Sequence, residues 1–187
     1  VLHGLKAGAL ESALLGFCMG AYRFGLGEAK PRATRMVVPD DATRLVALSK
    51  AVWFGRDLIN MPANLLGPRE LAEMAGKVLV HRGASVSLVE GDDLRRAYPC
   101  LAEVGEGSAR QPVVAVARWK AREGAPRISL IAKGVCFDTG GYDLKGAAGM
   151  LRTKKDMGGA APRLDVMFAA IYGARGAGTE LRPGCVA

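Results

Sequence analysis

The segment Lys133-Gly-Val-Cys-Phe-Asp-Thr-Gly-Gly-Tyr-Asp-Leu-Lys145, followed closely by Asp156-Met-Gly-Gly-Ala-Ala161, is the most informative part of this sequence. It comes directly after the apolar run Ile128 to Ala132, which predicts a strand. Charged residues clustered around paired glycines, where a strand ends and the backbone turns, are a common setting for chemistry. We therefore expect a functional site at the end of this strand.

The carboxylates of this segment suggest a site for a hard cation. Asp138 and Asp156, with Asp143 as a spare, offer oxygen ligands that suit Mg, Mn or Zn when two ions share bridging carboxylates. A turn held by salt bridges explains the same residues equally well. The chain has only two histidines and no His-Glu-x-x-His motif. It also has no P-loop and no Gly-x-Ser-x-Gly elbow, which excludes those chemistries.

Composition and charge favour a globular protein without a stacking platform for nucleic acid. The 187 residues are 50% hydrophobic, enough for one core or for one domain and part of another. The net charge of +8 is spread along the chain, and the doublets Arg95-Arg96 and Lys154-Lys155 are too short to form a basic block. Aromatic residues do not alternate with the basic ones. A solvated basic surface is favoured, while docking onto RNA or an acidic partner stays open.

Cysteine usage and hydropathy indicate a reducing compartment, the cytoplasm or the mitochondrial matrix. The four cysteines form no Cys-x-x-Cys pair and are expected to be reduced, buried thiols: Cys18, Cys100, Cys136 and Cys185. No uncharged apolar run reaches the roughly 18 residues that a membrane span needs. The longest candidate, Ser12 to Tyr22, is predicted to be a core helix rather than the core of a signal peptide.

Helical and strand patterns alternate along the chain. Helices are predicted over residues 4–24, from a cap at Asp40-Asp41 to Ile59, from Pro68 to about Gly83, and over Asp92 to Ala97. Strands are predicted at Met36 to Val38, Val86 to Val89, Gln111 to Trp119 and Arg127 to Ala132. Pro62, in Asn60-Met-Pro-Ala-Asn64, ends the second helix. The alternation predicts an α/β fold with a mixed, partly parallel sheet flanked by helices.

Three stretches resemble the leucyl aminopeptidase family (M17, cytosol aminopeptidases). Residues 133–145 with Met150 and 156–161 are similar to its metal-binding core. Residues 57–64 with Gly67-Pro68 resemble the entry into its catalytic domain, and 22–24 resemble the end of its preceding helix. The resemblance implies a remnant of an N-terminal α/β domain at 1–40, a linker helix at 41–61 and a partial catalytic domain at 62–187.

This resemblance implies a site that hydrolyses N-terminal residues from peptides with two divalent ions, Zn, Mn or Mg. Lys133 is similar to a lysine that binds one ion through a neutral amine, and Asp156 would bind the same ion. Asp138 would bridge both ions. Lys145 would stay charged and polarise the scissile carbonyl. Thr153 stands where the family often has Met, at a position lining the specificity pocket.

The sequence departs from the family in one respect that bears on activity. The family's later Asn-Thr-Asp-x-Glu-x-Arg segment, whose Asp and Glu complete the two-metal site, does not occur in these 187 residues. At most one well-liganded ion and no aminopeptidase activity are therefore expected from them alone. Two hypotheses follow: part of an active enzyme, forming a homo-oligomer (a hexamer in the family), or a shortened, inactive relative that is a structural subunit of a larger, RNA-containing assembly.

Overall fold

The computed structural model describes residues 4–26, 42–120, 123–124, 128–137 and 144–160. In these residues, helices and two strands follow in the order α1 (Ala7–Ala21), α2 (Thr43–Asn60), α3 (Pro68–His81), β1 (Ser85–Val89), α4 (Gly91–Ala97), α5 (Pro99–Gly105), β2 (Val114–Arg118) and α6 (Ala147–Arg152). A 3-10 helix, Thr153–Gly159, continues directly from α6. No described helix is both long and apolar enough to cross a membrane.

Helices α1 and α2 pack together, and long side chains of α2 cap the end of α1. Trp53 Nε1 donates to the carbonyl of Cys18 at 2.9 Å, and Arg56 Nη1 donates to that of Met19 at 2.8 Å. The last carbonyls of a helix have no donor within the helix, so these contacts satisfy groups that would otherwise need water. Helix α1 confirms the predicted core helix, although it is shorter than 4–24.

Helix α3 begins and ends where the sequence predicts. Gly67 is the N-cap and Pro68 the first helical residue, where a missing N–H costs nothing. The N–H of Gly67 donates to the carboxylate of Glu70 at 3.0 Å, which places a negative charge in the first turn. Gly83, with φ of 85°, allows the chain to turn back after the helix.

The sheet within the described residues is one antiparallel pair of strands. In β1 and β2, Ser85 lies opposite Arg118 at one end of the pair, and Val89 lies opposite Val114 at the other. Helix α3 covers one side: Leu79 and Ala84 form a buried cluster there with Val86, Ala117 and Trp119. A two-stranded sheet needs such a covering helix to be stable.

The larger core lies between α2, α3 and the 3-10 helix. Leu58, Leu66, Leu71, Cys136 and Met157 are buried together, with Phe54, Ile59, Met61 and Met74 packed around them. Leu58 and Met157 expose none of their surface. This core therefore joins the stretch after α2 to the stretch around residue 157, which lie far apart in the sequence.

The strand predicted over Arg127 to Ala132 does not form in residues 128–132. These residues have no regular secondary structure, and Ile128 and Ile131 are 80% and 87% exposed. Branched apolar residues favour a strand, but a strand also needs a neighbour to complete its hydrogen bonds, and no described strand lies beside them. Helix α5, which no sequence pattern indicated, lies between the predicted elements.

Other predictions have mixed outcomes. The α/β class is confirmed, and the predicted helices near residues 43–60 and 91–97 and strands near 85–89 and 114–118 are present. Helix α2 has Ala42 as its N-cap, with no side-chain cap. Cys18, Cys100 and Cys136 are free thiols, but Cys100 is exposed, contrary to prediction. The predicted cap at Asp40-Asp41 is wrong, since Ala42 is the N-cap of α2, while the strand at 36–38 and Cys185 lie outside the described residues.

Candidate metal centre

Two of the predicted metal ligands meet in the structure. Lys133 Nζ and Asp156 Oδ2 are 2.7 Å apart, and their side chains are 61% and 41% exposed. Lys133 lies in the segment 128–137, which has no regular secondary structure, and Asp156 lies in the 3-10 helix. The amine and the carboxylate therefore approach each other from two separate parts of the chain, on a surface that solvent can reach.

Glycine makes the approach of these two segments possible. A Cβ on Gly159 would lie 3.3 Å from the carbonyl oxygen of Lys133 and 3.6 Å from its backbone nitrogen. That is closer than ordinary van der Waals contact, so the backbone of Lys133 rests directly on Gly159. A Cβ on Gly158 would meet only Ile59 Cδ1, at 3.9 Å. The second glycine of the pair is therefore the one that the close approach requires.

Lys154 holds the 3-10 helix from its other side. Its Nζ donates to the carbonyls of Leu58 at 3.1 Å and Ile59 at 3.4 Å, at the end of α2. Burial lowers the pKa of this amine, while the nearby Cys136 opposes that shift. The sequence predicted that both lysines of the 154–155 doublet belong to a solvated surface. Lys155 is exposed as predicted, but Lys154 is half-buried.

Cys136 is a packing residue of the larger core. It is buried in the larger core, and its thiol contacts the carbonyl of Gly134 at 3.5 Å. Burial raises the pKa of the thiol, against the opposing effect of Lys154 and Arg110. A thiol kept protonated in this way is a poor metal ligand and a poor nucleophile.

Arg110 fixes the loop that leads from α2 to α3. It donates to the carbonyls of Ala63 at 2.6 Å and Asn64 at 3.3 Å, and its other nitrogen forms an ion pair with Glu70 at 2.7 Å. The carboxyl of Glu70 has a lowered pKa because its own backbone N–H, Arg110 and the N–H of Gly67 all stabilise the charge. This loop carries Leu66, so Arg110 supports the core under the site.

The other predicted site residues are less informative in the structure. Lys145 is exposed in the bend before α6. Thr153 is buried and donates its hydroxyl to the carbonyl of Met150 at 2.7 Å. Asp138 and Asp143 lie outside the described residues. Within the part of the chain that the structure describes, no three His, Cys, Asp or Glu side chains group together.

Sequence reasoning missed the roles of Lys154 and Arg110. One signal for Lys154 was present: Pro62 has no N–H, so the carbonyl of Leu58 cannot receive the usual hydrogen bond from four residues later. Sequence showed that a donor was needed but not which side chain supplies it. No comparable signal exists for Arg110.

Residues 53–175 match the model of the cytosol aminopeptidase family, catalytic domain. The chain is 37% identical over 186 residues to a probable cytosol aminopeptidase of Xanthobacter autotrophicus, covering 90% of this chain and 37% of that protein. A probable cytosol aminopeptidase of Rhizobium rhizogenes is also 37% identical, with 94% of this chain and 39% of that protein covered. The chain belongs to the cytosol aminopeptidase family. It spans somewhat more than a third of the length of these relatives.

Solved structures agree with membership of the cytosol aminopeptidase family. The cytosol aminopeptidase of Coxiella burnetii superposes with a TM-score of 0.81 at 36% identity, covering 87% of this chain and 36% of that one. The bottromycin maturation enzyme BotP, solved in complex with Mn, superposes with a TM-score of 0.73 at 28% identity, again over 87% of this chain and 36% of that one. The α/β arrangement described above is therefore that of this family.

Proposed function

We propose that this chain supplies part of the active site of a metal-dependent aminopeptidase, in which Lys133 and Asp156 bind one divalent cation together. The observation that carries the proposal is the 2.7 Å contact between Lys133 Nζ and Asp156 Oδ2. Family membership gives the reaction class, which is the hydrolysis of N-terminal residues from peptides. We further propose that Asp138 binds the same cation and a second one.

The donor set fits a divalent cation of the Zn or Mn type. An amine nitrogen and a carboxylate oxygen both bind such ions at about 2.0–2.2 Å, so donors in mutual contact can reach one ion after a small separation. The amine must be neutral to bind, which means that the cation competes with a proton for Lys133. Partial exposure of both side chains gives the ion and the displaced proton a path to solvent.

The neighbouring residues take complementary roles. When bound, the cations lower the pKa of a coordinated water and so supply the nucleophile near neutral pH. Lys145, which is exposed, donates to the carbonyl oxygen of the scissile bond as negative charge develops there. Thr153 has its hydroxyl engaged with Met150, so its effect on residue preference comes from its size and methyl group.

The domain organisation, the oligomeric state and the compartment of this protein are predictions. Residues 1–40, 41–61 and 62–187 remain the proposed domain remnant, linker helix and partial catalytic domain. Homo-oligomerisation and a reducing compartment also remain predictions. Because the family's downstream Asp and Glu ligands are not among these 187 residues, we expect them to bind one cation well and to release no leucine from a chromogenic amide by themselves.

Binding of Mn²⁺, followed by electron paramagnetic resonance, tests the proposal directly on this chain. Lys133→Met and Asp156→Asn should each weaken binding by at least about tenfold, as even the loss of a residue that only supports a ligand does. The matched controls are Lys155→Met, an exposed lysine nearby, and Asp93→Asn, which disrupts the exposed ion pair with Arg96. Both controls should bind Mn²⁺ as the unmodified chain does.

Two results would contradict the proposal. One is Mn²⁺ affinity that is unchanged in both Lys133→Met and Asp156→Asn. The other is the absence of Mn²⁺ binding by the unmodified, folded chain, which favours the alternative of an inactive structural subunit. Efficient, Mn²⁺-dependent release of leucine by the 187-residue chain would confirm the metal chemistry but refute the expectation that these residues are inactive alone.

A further inference from the structure

Lys154, in the 3-10 helix, hydrogen-bonds to a distant part of the chain, the end of α2. Its Nζ donates to the carbonyls of Leu58 and Ile59, at 3.1 and 3.4 Å, although these residues lie almost a hundred positions earlier. Asp156 follows two residues later in the same 3-10 helix. The lysine is therefore the polar link between the end of α2 and the helix that carries a proposed ligand.

The end of α2 needs such a donor. The carbonyl of Asp57 is satisfied by the N–H of Met61 at 2.9 Å, as in a regular helix. The carbonyl of Leu58 would next be paired with residue 62, but that residue is Pro62, which has no N–H. A cation at this position also interacts favourably with the negative end of the helix dipole. The two carbonyls thus form a site that an ammonium group fills well.

The 3-10 helix is held at three places, and Asp156 lies between them. Lys154 binds the end of α2, Met157 is fully buried in the larger core, and Gly159 rests against the backbone of Lys133. Met157 and Gly159 fix the position of the helix axis beyond Asp156. Lys154 ties the turn before it to α2, whereas the buried hydroxyl of Thr153 bonds locally, to the carbonyl of Met150. Without that hold, the turn can rotate about its buried end and carry the carboxylate of Asp156 away from Lys133.

We propose that Lys154 is a positioning residue: by binding the carbonyls of Leu58 and Ile59 it aims the carboxylate of Asp156 at Lys133 and thereby sets the affinity of the site for a divalent cation. The part about cation affinity rests on the function proposed above. The part about the direction of Asp156 does not, since the contact between Lys133 and Asp156 can be observed without any metal.

Three variants separate positioning from a general loss of charge. Lys154→Met keeps the length of the side chain and removes the donor. Lys154→Arg keeps a cationic donor that can reach the same carbonyls. Lys155→Met removes the adjacent, exposed positive charge and is the matched control. Each variant is first shown to be folded by denaturant unfolding, so that later measurements refer to folded protein.

The first measurement is the dissociation constant for Mn²⁺ by electron paramagnetic resonance. Lys154→Met should weaken binding about tenfold or more, the size of effect seen when a residue supporting a metal ligand is lost. Lys154→Arg should return the constant to within about threefold of the unmodified chain, and Lys155→Met should leave it unchanged. A merely structural role predicts lower stability in Lys154→Met with unchanged Mn²⁺ affinity per folded molecule, and that outcome overturns the proposal.

The second measurement is the metal-free structure of Lys154→Met. We expect Lys133 Nζ and Asp156 Oδ2 to move beyond the 4 Å reach of an ion pair; retention of the contact at its present 2.7 Å overturns the proposal. This measurement decides the inference even if the unmodified chain binds no Mn²⁺, a result that would refute the proposed function alone. If Lys154→Met does not fold, Lys154→Ala, which also removes the donor, is judged by the same two criteria.

Discussion

Helix α2 packs against two other helices, and at both junctions a side chain from one helix donates hydrogen bonds to carbonyls at the end of the other. At its junction with α1, its Trp53 and Arg56 donate to carbonyls at the end of α1. At its junction with the 3-10 helix, its own last carbonyls accept from Lys154. In both cases a long side chain from a neighbouring helix satisfies a helix C-terminus, which otherwise leaves four carbonyls without partners.

The two junctions differ in the polar groups beyond the cap. At the α1 junction, the hydroxyl of Tyr22 donates to Asp57 at 2.8 Å and accepts from Asn60 at 3.1 Å, and the guanidinium of Arg56 lies 5.3 Å from the centre of the Tyr22 ring. Burial raises the pKa of Tyr22 to about 12 and also raises that of Asp57. The polar groups of this network therefore hydrogen-bond to one another.

At the 3-10 junction, the polar groups are instead an ion pair open to solvent. Exposed ion pairs contribute only about 0–1 kcal/mol to stability, so the contact between Lys133 and Asp156 should add little to the stability of the fold. Helix α2 therefore adjoins a hydrogen-bonded network on one side and, on the other, the 3-10 helix that carries Asp156 of the solvent-exposed pair. Stability should therefore be sensitive at the first junction, and metal affinity at the second.

The largest effect on stability is expected from the core beneath the second junction. Met157→Ala removes a side chain with no exposed surface from between Leu58 and Leu66, and should lower the free energy of unfolding by about 2–5 kcal/mol. Urea unfolding followed by circular dichroism measures this. Leu151→Ala is the control, since that side chain is 77% exposed and should change stability by less than about 0.5 kcal/mol. Equal effects of the two substitutions would contradict the assigned core.

The two glycines of the 3-10 helix should differ in how far an alanine substitution changes the free energy of unfolding. Gly159→Ala places a methyl group 3.3 Å from the carbonyl oxygen of Lys133 and should destabilise the chain by about 1–3 kcal/mol. Gly158→Ala places one 3.9 Å from Ile59, in ordinary contact, and should be neutral or stabilising by up to about 1 kcal/mol because it restricts the unfolded chain. The two unfolding curves should therefore shift differently. A reversed order would show that Gly159 does not mediate the close approach.

A smaller effect is expected at the first junction. Tyr22→Phe removes the donor to Asp57 and the acceptor for Asn60, and should cost about 1–2 kcal/mol because a half-buried carboxylate loses its partner. Tyr98→Phe, at a more exposed position before α5, is the control and should be close to neutral. The binding of Mn²⁺ should be the same in both variants. A loss of Mn²⁺ affinity in Tyr22→Phe would mean that the two junctions are coupled.

The smallest effect concerns the dependence of stability on pH. Because burial raises the pKa of Asp57 in the folded chain, the folded state holds this proton more tightly than the unfolded state does. Stability then falls as pH rises from the ordinary pKa of an aspartate through the raised one. Asp57→Asn does not titrate and can still accept from Tyr22. Its stability relative to the unmodified chain should rise over that range and then level off; a difference independent of pH would contradict this.

Local features of the fold could be predicted because their causes lie close together in the sequence. Pro68 and Gly83 set the limits of α3 through their own backbone preferences, and the alternation of Val86, Leu88 and their neighbours marks β1. The candidate ligands Lys133 and Asp156 were identified through the family's motifs. Composition and spacing alone left a metal site and a salt-bridged turn equally open.

The tertiary structure alone decided which distant groups meet. It showed that residues 128–132 have no pairing strand beside them among the described residues, although their sequence favours one, because pairing depends on a partner elsewhere in the chain. It brought Lys133 to Asp156, and it assigned Lys154 to the carbonyls that Pro62 leaves without a donor. The sequence by itself determined the kinds of group available and the local turns. Packing determined which of those groups became partners, since hydrogen bonds and ion pairs form only where the fold brings the atoms within reach.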